Sequence, residues 1–171
     1  MAQFSIKVVV ENDDALRIRA DTLVLKHAQG LYGVDRAVYD RVVLAGSKPE
    51  LPKLGAHHFM PSEHALGSDR VLFIGVEPLY NFRYAEIREF GRLAMAILAT
   101  DKQKTKHVAL TIHGTGYGLD ETESFESELA GVIEAIAQND YPQDLETITF
   151  VERDRNRTKR LAAVLGPVNT K

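Results

Sequence analysis

Three glycines stand within five residues, Gly114, Gly116 and Gly118 of "TIHGTGYGLDE", directly after the apolar run "HVALTI". A strand buried in a core needs no such run. A loop that turns with positive φ and brings its backbone N–H groups close to a bound group does need it. Successive N–H groups arranged this way cradle anions, phosphate above all. A helix starting near Asp120 to Thr122 would add its N-terminal dipole to the cradle. The alternative is a tight strand-to-helix turn with no ligand. A second stretch, "AQGLYGVDRAVYDRV", repeats the arrangement, with Gly30 and Gly33 after the apolar run "TLVL" and ahead of a helical pattern. Two glycine loops at two strand ends fit the two phosphates of a diphosphate. The competing reading is a hydrophobic turn with Leu31 and Val34 tucked into the core.

Other side chains in these loops carry chemistry of their own. Tyr32 and Tyr117 lie one in each loop, placed either to cover a ligand as an aromatic lid or to pack against the neighbouring loop. His113 opens the second loop and either bonds a ribose or phosphate or is a structural histidine bonded to backbone. Lys26 and His27 precede the first loop and offer positive or switchable charge to a phosphate; Lys26 is otherwise a solvated side chain. The run "ERDRNRTKR" at 152–160 reads as a solvated helix face. His57, His58 and His64 lack tight zinc spacing, and neighbouring residues of a strand point to opposite faces, so no metal site is expected. Neither GxSxG nor the GxxxxGK[ST] phosphate loop is present. The absence of cysteine excludes disulfides and thiolate chemistry.

The elements that would hold these loops alternate. Apolar runs at 4–10, 22–25, 70–76, 107–112 and 147–151 predict strands, the last three of a kind buried on both sheet faces. Helical periods fall at 34–43, with Val34, Val38 and Val42 on one face, at 83–100, 122–139 and 156–165, the last stopped by Gly166-Pro167. Segment 45–69 holds three of the six prolines and reads as irregular. With 171 residues, 44% of them hydrophobic, 26% charged and net charge -3, the chain is sized for one domain, 1–171. The predicted fold is a three-layer α/β/α domain with a mostly parallel sheet, whose ligands bind beyond the carboxyl ends of the strands. No apolar stretch spans a bilayer and no long basic run suggests a nucleic-acid surface, so a cytoplasmic protein is expected, with a small molecule as its partner.

These residues resemble, in order along most of the chain, the macro domain, a family that binds ADP-ribose. "VVVENDDALRIRADTLVL" looks like the family's opening strand, aspartate turn and next strand, which places Asp14 on the aspartate that holds the adenine amine. "GLYGVDRAVYD" is similar to the first phosphate loop and its helix. "TIHGTGYGLD" looks like the second, though one residue short between Gly116 and Gly118. "ITFVERDRNRTKRLAAVL" resembles the closing strand and helix. The resemblance implies a ligand held by Asp14, Lys26, His27, Gly30, Leu31, Tyr32, Gly33, Val34, His113, Gly114, Thr115, Gly116, Tyr117 and Gly118. Arg153 and Asn156 would stand at the adenosine end.

One departure decides between binding and turnover. Catalytic members carry asparagines where this chain reads "VLKHAQG", with Leu25 and Ala28 at those positions. The resemblance therefore implies a binding module, with ADP-ribosyl hydrolysis as the alternative, for which Gln29 is the amide at hand. "DRVLFIGVEPLYNFRYAEIREFGRLAMAIL" is similar to the noncatalytic N-terminal domain of leucine aminopeptidases, which implies a scaffold or oligomerisation domain as the second alternative. A kept phosphate cradle with lost asparagines also suits the macro-like sensors of NAD-derived nucleotides that are fused to effectors in bacterial antiphage systems. The ending "GPVNTK" is what a domain cut from a longer protein would show. The expected ligand is ADP-ribose or a derivative, with no resident cofactor and no metal.

Overall fold

A computed structural model of the chain describes residues 5–46, 48 and 50–169. Strands β1 (Lys7–Asn12) and β2 (Thr22–His27) are followed by helix α1 (Gly33–Leu44), then by β3 (His57–Pro61) and β4 (Arg70–Gly75). A short 3-10 turn, Leu79–Asn81, leads into α2 (Tyr84–Thr100), followed by β5 (His107–Thr111), α3 (Glu121–Ala137), β6 (Thr147–Glu152) and α4 (Arg155–Asn169). The strands form one mixed sheet in the order β1-β6-β5-β2-β4-β3. All neighbouring pairs run parallel except β3, which lies antiparallel on β4 at the sheet edge. The predicted three-layer, mostly parallel fold is the observed one.

The apolar runs make this sheet because central parallel strands, covered by helices on both faces, bury nearly all their side chains. Val24, Leu72, Val108, Leu110, Ile148 and Phe150 join the core shared with α2, α3 and α4. Leu23, Leu25, Val71, Phe73, Ala109 and Val151 join the opposite core, completed by Val38 and Val42 of α1 and by Ala15 and Ile18 of the β1–β2 connection. At the amino ends of the central strands polar groups hold the register. The Asp21 carboxylate accepts from the backbone N–H groups of Lys106 and His107. Arg70 is buried, donates to Thr22, Asp101 and Thr105, and lies 4.1 Å from the centre of the Phe59 ring.

Three expectations differ from the structure. Segment 45–69 contains β3, whose apolar Phe59 and Met60 are flanked by histidines and proline, a pattern suited to an edge strand. The last helix runs through Gly166-Pro167 to Asn169; Leu161 and Leu165, both buried, fasten the turns just before the expected stop. The first strand runs from Lys7 to Asn12, in register with Glu152 of β6 and two residues past the expected end, while residue 4 of the expected run lies outside the described residues.

Helices α2 and α3 approach closely through glycine. A Cβ on Gly131 would overlap the Arg88 carbonyl oxygen, and one on Gly91 would overlap that of Glu128. The contact therefore depends on the missing side chains. We expect Gly131→Ala to destabilise the domain by about 1–3 kcal/mol, since a methyl in a filled contact forces the helices apart. The midpoint of urea unfolding measures it, and an unchanged midpoint would refute the close crossing.

Candidate functional site

The parallel arrangement sends β1, β2, β5 and β6 to the same edge of the sheet, and the connections leaving that edge build a cleft. After β2 the chain turns at Gln29 with φ 56°. Left-handed backbone is uncommon for a non-glycine residue, and here the side chain secures it: Gln29 Nε2 donates to the carbonyl of Val76 at 3.1 Å. Tyr32 then caps α1 with extended backbone, its carbonyl accepting from Asp35 N–H, and Gly33 takes φ 50°. The Tyr32 ring folds over Gly30, where a Cβ would come within 2.8 Å of its hydroxyl.

The second loop is pinned more firmly. Gly114 and Gly118 take φ 93° and 91°, conformations that a side chain would strain. The Gly114 carbonyl accepts from the N–H groups of Tyr117 and Leu119. Tyr117 Oη donates to the Phe82 carbonyl at 3.1 Å, and Asp120 N–H donates to Tyr84 Oη at 2.9 Å. Asp120 in turn caps α3, its carboxylate accepting from Glu123 N–H. Gly116 and Gly118 both have open space where a Cβ would stand, but of the two only Gly116 is free of a positive φ, so it alone of the three would accept a side chain without backbone strain.

Between the loops lies a cleft of about 340 Å³, lined by Lys26, Tyr32 to Asp35, Leu79 and Ile112 to Tyr117. An adjoining pocket of about 120 Å³ shares Val34 and Ile112 with it and is otherwise walled by Ala15, Thr111, Val151, Glu152 and Arg153. Asp14 precedes Ala15 in a turn where its Oδ1 accepts from Leu16 N–H. The ends of β1 and β6 that flank this pocket are tied together by Asn12 Nδ2, which donates to the carbonyls of Glu152 and Arg153.

Of the residues singled out from the sequence, the structure brings both glycine loops, Lys26, Tyr32, Tyr117 and His113 to one cleft, with Arg153 in the adjoining pocket and Asp14 beside it. Others lie elsewhere. His27 turns away, its Nδ1 2.7 Å from the Pro52 carbonyl. Asn156 is exposed on the first turn of α4 and lines neither pocket. Leu25 and Ala28 are buried and belong to opposite cores.

The floor of the cleft holds charge that the sequence did not pair. Lys26 is 7% exposed and Asp35 1%, and Lys26 Nζ lies 2.7 Å from Asp35 Oδ2. The solvated alternative for Lys26 is therefore replaced by a buried ion pair. Burial pushes the Asp35 carboxyl up, and the Lys26 ammonium pulls against it. Deeper still, His113 wedges between the rings of Phe82 and Phe90, with centroids 5.7 and 4.7 Å away. Its Nε2 stands 3.6 Å from Glu128 Oε1, and both side chains are almost wholly buried. Neither the His113 nitrogen nor either Glu128 oxygen has a hydrogen-bond partner among the described residues. Burial pushes the Glu128 carboxyl well up and the His113 imidazole well down; the Lys26 charge opposes the first shift and adds to the second. Both shifts favour the uncharged forms.

Two of these groups had a readable signal. Glu128 falls three residues after Phe125 and next to Leu129, on the apolar stripe of its helix, where a charged residue stands out. Asp35 sits in the first turn behind a glycine loop, where a helix N-terminus favours an acid. Its partnership with Lys26 had no signal, because the two meet across a loop rather than along one element.

The described residues include no group of three or more His, Cys, Asp or Glu side chains able to hold a metal ion. Among them no helix is long and apolar enough to cross a membrane.

No family model and no curated protein sequence matches the chain. Solved structures do. A variant of the Oceanobacillus iheyensis macrodomain with ADPR superposes with TM-score 0.70 at 19% identity, covering 96% of this chain and 93% of that one. The same macrodomain with ADP gives TM-score 0.70 at 17% identity, over 94% and 90% of the two chains. A Trypanosoma brucei macrodomain in complex with ADP-ribose gives TM-score 0.72 at 16% identity, over 93% of this chain and 69% of that one. The fold is that of the macrodomains.

The neutral floor has a pH signature. A buried carboxyl with a raised pKa keeps a proton in the folded state that the unfolded chain releases above about pH 4.5, so its contribution to stability falls as pH rises through that window. The buried His113 works in the opposite sense, costing stability as pH drops below about 6.5. We expect Glu128→Gln, which keeps the shape and cannot ionise, to gain stability relative to the parent as pH rises from about 5 to 8. Urea midpoints of both proteins at several pH values check it; parallel curves would show Glu128 ionised in the fold.

Proposed function

We propose that the cleft binds ADP-ribose or a related NAD-derived nucleotide, and that the chain is a binding module that reports the nucleotide to an associated effector rather than an enzyme. The observation that carries this reading is the adjacency of two pockets. Two glycine loops face each other across one cleft, and that cleft shares Val34 and Ile112 with a small, mainly apolar pocket beside a carboxylate. Such a shape suits a nucleoside diphosphate joined to a second sugar, with few polar groups fixing orientation in a largely apolar wall. Solved relatives of the same fold carry ADP and ADP-ribose.

In this reading the adenine enters the smaller pocket. Asp14 has one carboxylate oxygen engaged with Leu16 N–H, and the other accepts the adenine amine. Arg153 closes the rim. The diphosphate lies over the backbone N–H groups of residues 30–34 and 114–118, near the amino ends of α1 and α3, where orphan donors and the helix dipole favour negative charge. The distal ribose reaches toward Lys26, Leu79 and Tyr32.

The non-catalytic reading rests on what borders that distal end. Hydrolysis needs a polar group to place water, and the positions that would supply it are the buried, apolar Leu25 and Ala28. The amide of Gln29 is committed to Val76 and His27 carbonyls. Lys26 is engaged by Asp35 Oδ2.

Thermal unfolding with ADP-ribose, NAD, AMP and buffer tests the binding. Ligand at ~100 times its dissociation constant adds ~2.7 kcal/mol, several degrees for a domain of this size. We expect the shift with ADP-ribose to vanish in Asp14→Ala and in Gly116→Leu. The Gly116 position leaves room for a side chain, so that variant should unfold at the parent's own temperature without ligand. An undiminished shift in Gly116→Leu would remove the phosphate from the second loop. Release of ADP-ribose from a modified protein by the wild-type chain would overturn the non-catalytic half of the proposal.

A further inference from the structure

The cleft floor contains more buried polar atoms than binding a nucleotide over its rim requires. Six such atoms lack partners among the described residues: Asp35 Oδ1, Thr111 Oγ1, His113 Nε2, Ser124 Oγ and both Glu128 oxygens. Buried polar groups are normally hydrogen-bonded, and an unpaired one costs about 1–3 kcal/mol, so a cluster of them in one place asks for a role. Four belong to residues of the second glycine loop or of the α3 face behind it. Ser124 stands against Gly114, where a Cβ would collide with its hydroxyl, and Glu128 lies one turn further along the helix. His113 is the residue immediately before Gly114, so its backbone is part of the loop while its ring reaches down to Glu128.

We propose that the His113–Glu128 pair is a proton-binding site coupled to the cleft, so that a diphosphate settling over the second glycine loop is bound together with a proton. This rests on the reading of the cleft as a nucleotide site. Without ligand the pair shares one proton, held on Glu128, with His113 Nε2 as a bare acceptor 3.6 Å away. A diphosphate above Gly114 to Gly118 brings two negative charges close to a floor that water does not reach. In such surroundings charge interactions are weakly screened, and a second proton on the His113 nitrogen offsets the added negative charge. The proton comes from solvent and forms the Nε2–H bond, and no other bond changes. The resulting imidazolium can then donate to Glu128.

Lys26 from β2 is the fixed cation nearby; its charge opposes a proton on His113, and the Asp35 carboxylate of α1, in contact with it, offsets part of that charge. Tyr117 in the loop is pushed up chiefly by its burial, and its hydroxyl is engaged with the Phe82 carbonyl. Arg83, ahead of α2, faces Tyr117 rather than the pair. From α2 itself His113 meets the apolar ring of Phe90. His113 is thus the group in the floor able to change charge toward the ligand.

Calorimetric titration of the whole chain with ADP-ribose near pH 6, in two buffers of different ionisation enthalpy, tests the proposal. ADP-ribose suits the purpose because its phosphates are fully ionised diesters and take up no proton themselves. We expect an apparent enthalpy that depends on the buffer with the sign of proton uptake, and an affinity that strengthens as pH falls, by at most about tenfold per pH unit for one linked proton. His113→Gln should bind with buffer-independent heat, while Glu128→Gln, whose amide oxygen still accepts from an imidazolium, should retain the uptake. The imidazole resonance of His113 in the wild-type chain should titrate at higher pH with ligand than without it. Buffer-independent binding by the wild type, or an uptake retained in His113→Gln, would overturn the coupling. No binding in either calorimetry or thermal unfolding would instead overturn the nucleotide site beneath it.

Discussion

The buried ion pair between Lys26 and Asp35 sets the geometry on which the cleft depends. It joins the last turn of a central strand to the first turn of the helix that follows, and the first glycine loop is what lies between these two anchors. A lysine at that depth tolerates its burial only with an acid in contact, and the acid only with the lysine, because either one alone would be an uncompensated charge in a medium of low dielectric. The pair is therefore a constraint more than a source of stability. It leaves Gly30 to Val34 one path, across the mouth of the cleft, and it gives the helix its N-terminal acid without placing a free negative charge where an anionic ligand would settle.

The second loop is held by different means, and the contrast matters for how the two sides behave. Its fastenings are tyrosines and backbone: Tyr117 to Phe82, Tyr84 to Asp120, Gly114 to Tyr117 and Leu119. The two tyrosine bonds join the loop to the start of α2, and α2 is locked to α3 through the glycines at their crossing. One wall of the cleft is thus a single packed unit made of α2, α3 and their loop, standing on the neutral His113–Glu128 floor. The other wall is the shorter α1 with its loop, held at one buried point and by Gln29. Rigid groups on one side and a singly anchored segment on the other let the site fix a ligand's phosphates while accommodating different groups at the far sugar.

Much of the framework was legible in the sequence because parallel strands write themselves as unbroken apolar runs, and the amphipathic helices as stripes. The runs ending at Val76 and Ile112 and the stripe through Ile87, Phe90 and Ala94 fall on the observed elements. The edge strand β3 was not legible, since an edge needs only alternate burial and its "HHFMP" has too few apolar residues to stand out among prolines. The glycine loops were legible as positions where backbone replaces side chain, and they do meet in one cleft. What stayed hidden were contacts between distant segments: Lys26 with Asp35 across a loop, His113 with Glu128 from strand end to helix, His27 drawn off to Pro52. A strand's alternation places Lys26 and His27 on opposite sides, but the sequence does not say which side faces the cleft until the sheet order is known.

The chain contains no tryptophan and six tyrosines. Its ultraviolet emission is therefore tyrosine emission, and two of the six emitters sit at the cleft, Tyr32 half in solvent over the first loop and Tyr117 packed and hydrogen-bonded in the second. The molecule carries its own optical reporter at the mouth of the site. An event there changes the light from Tyr32 first, against a background that the half-buried, hydrogen-bonded ring of Tyr117 keeps steadier, and no dye or engineered label is needed to see it.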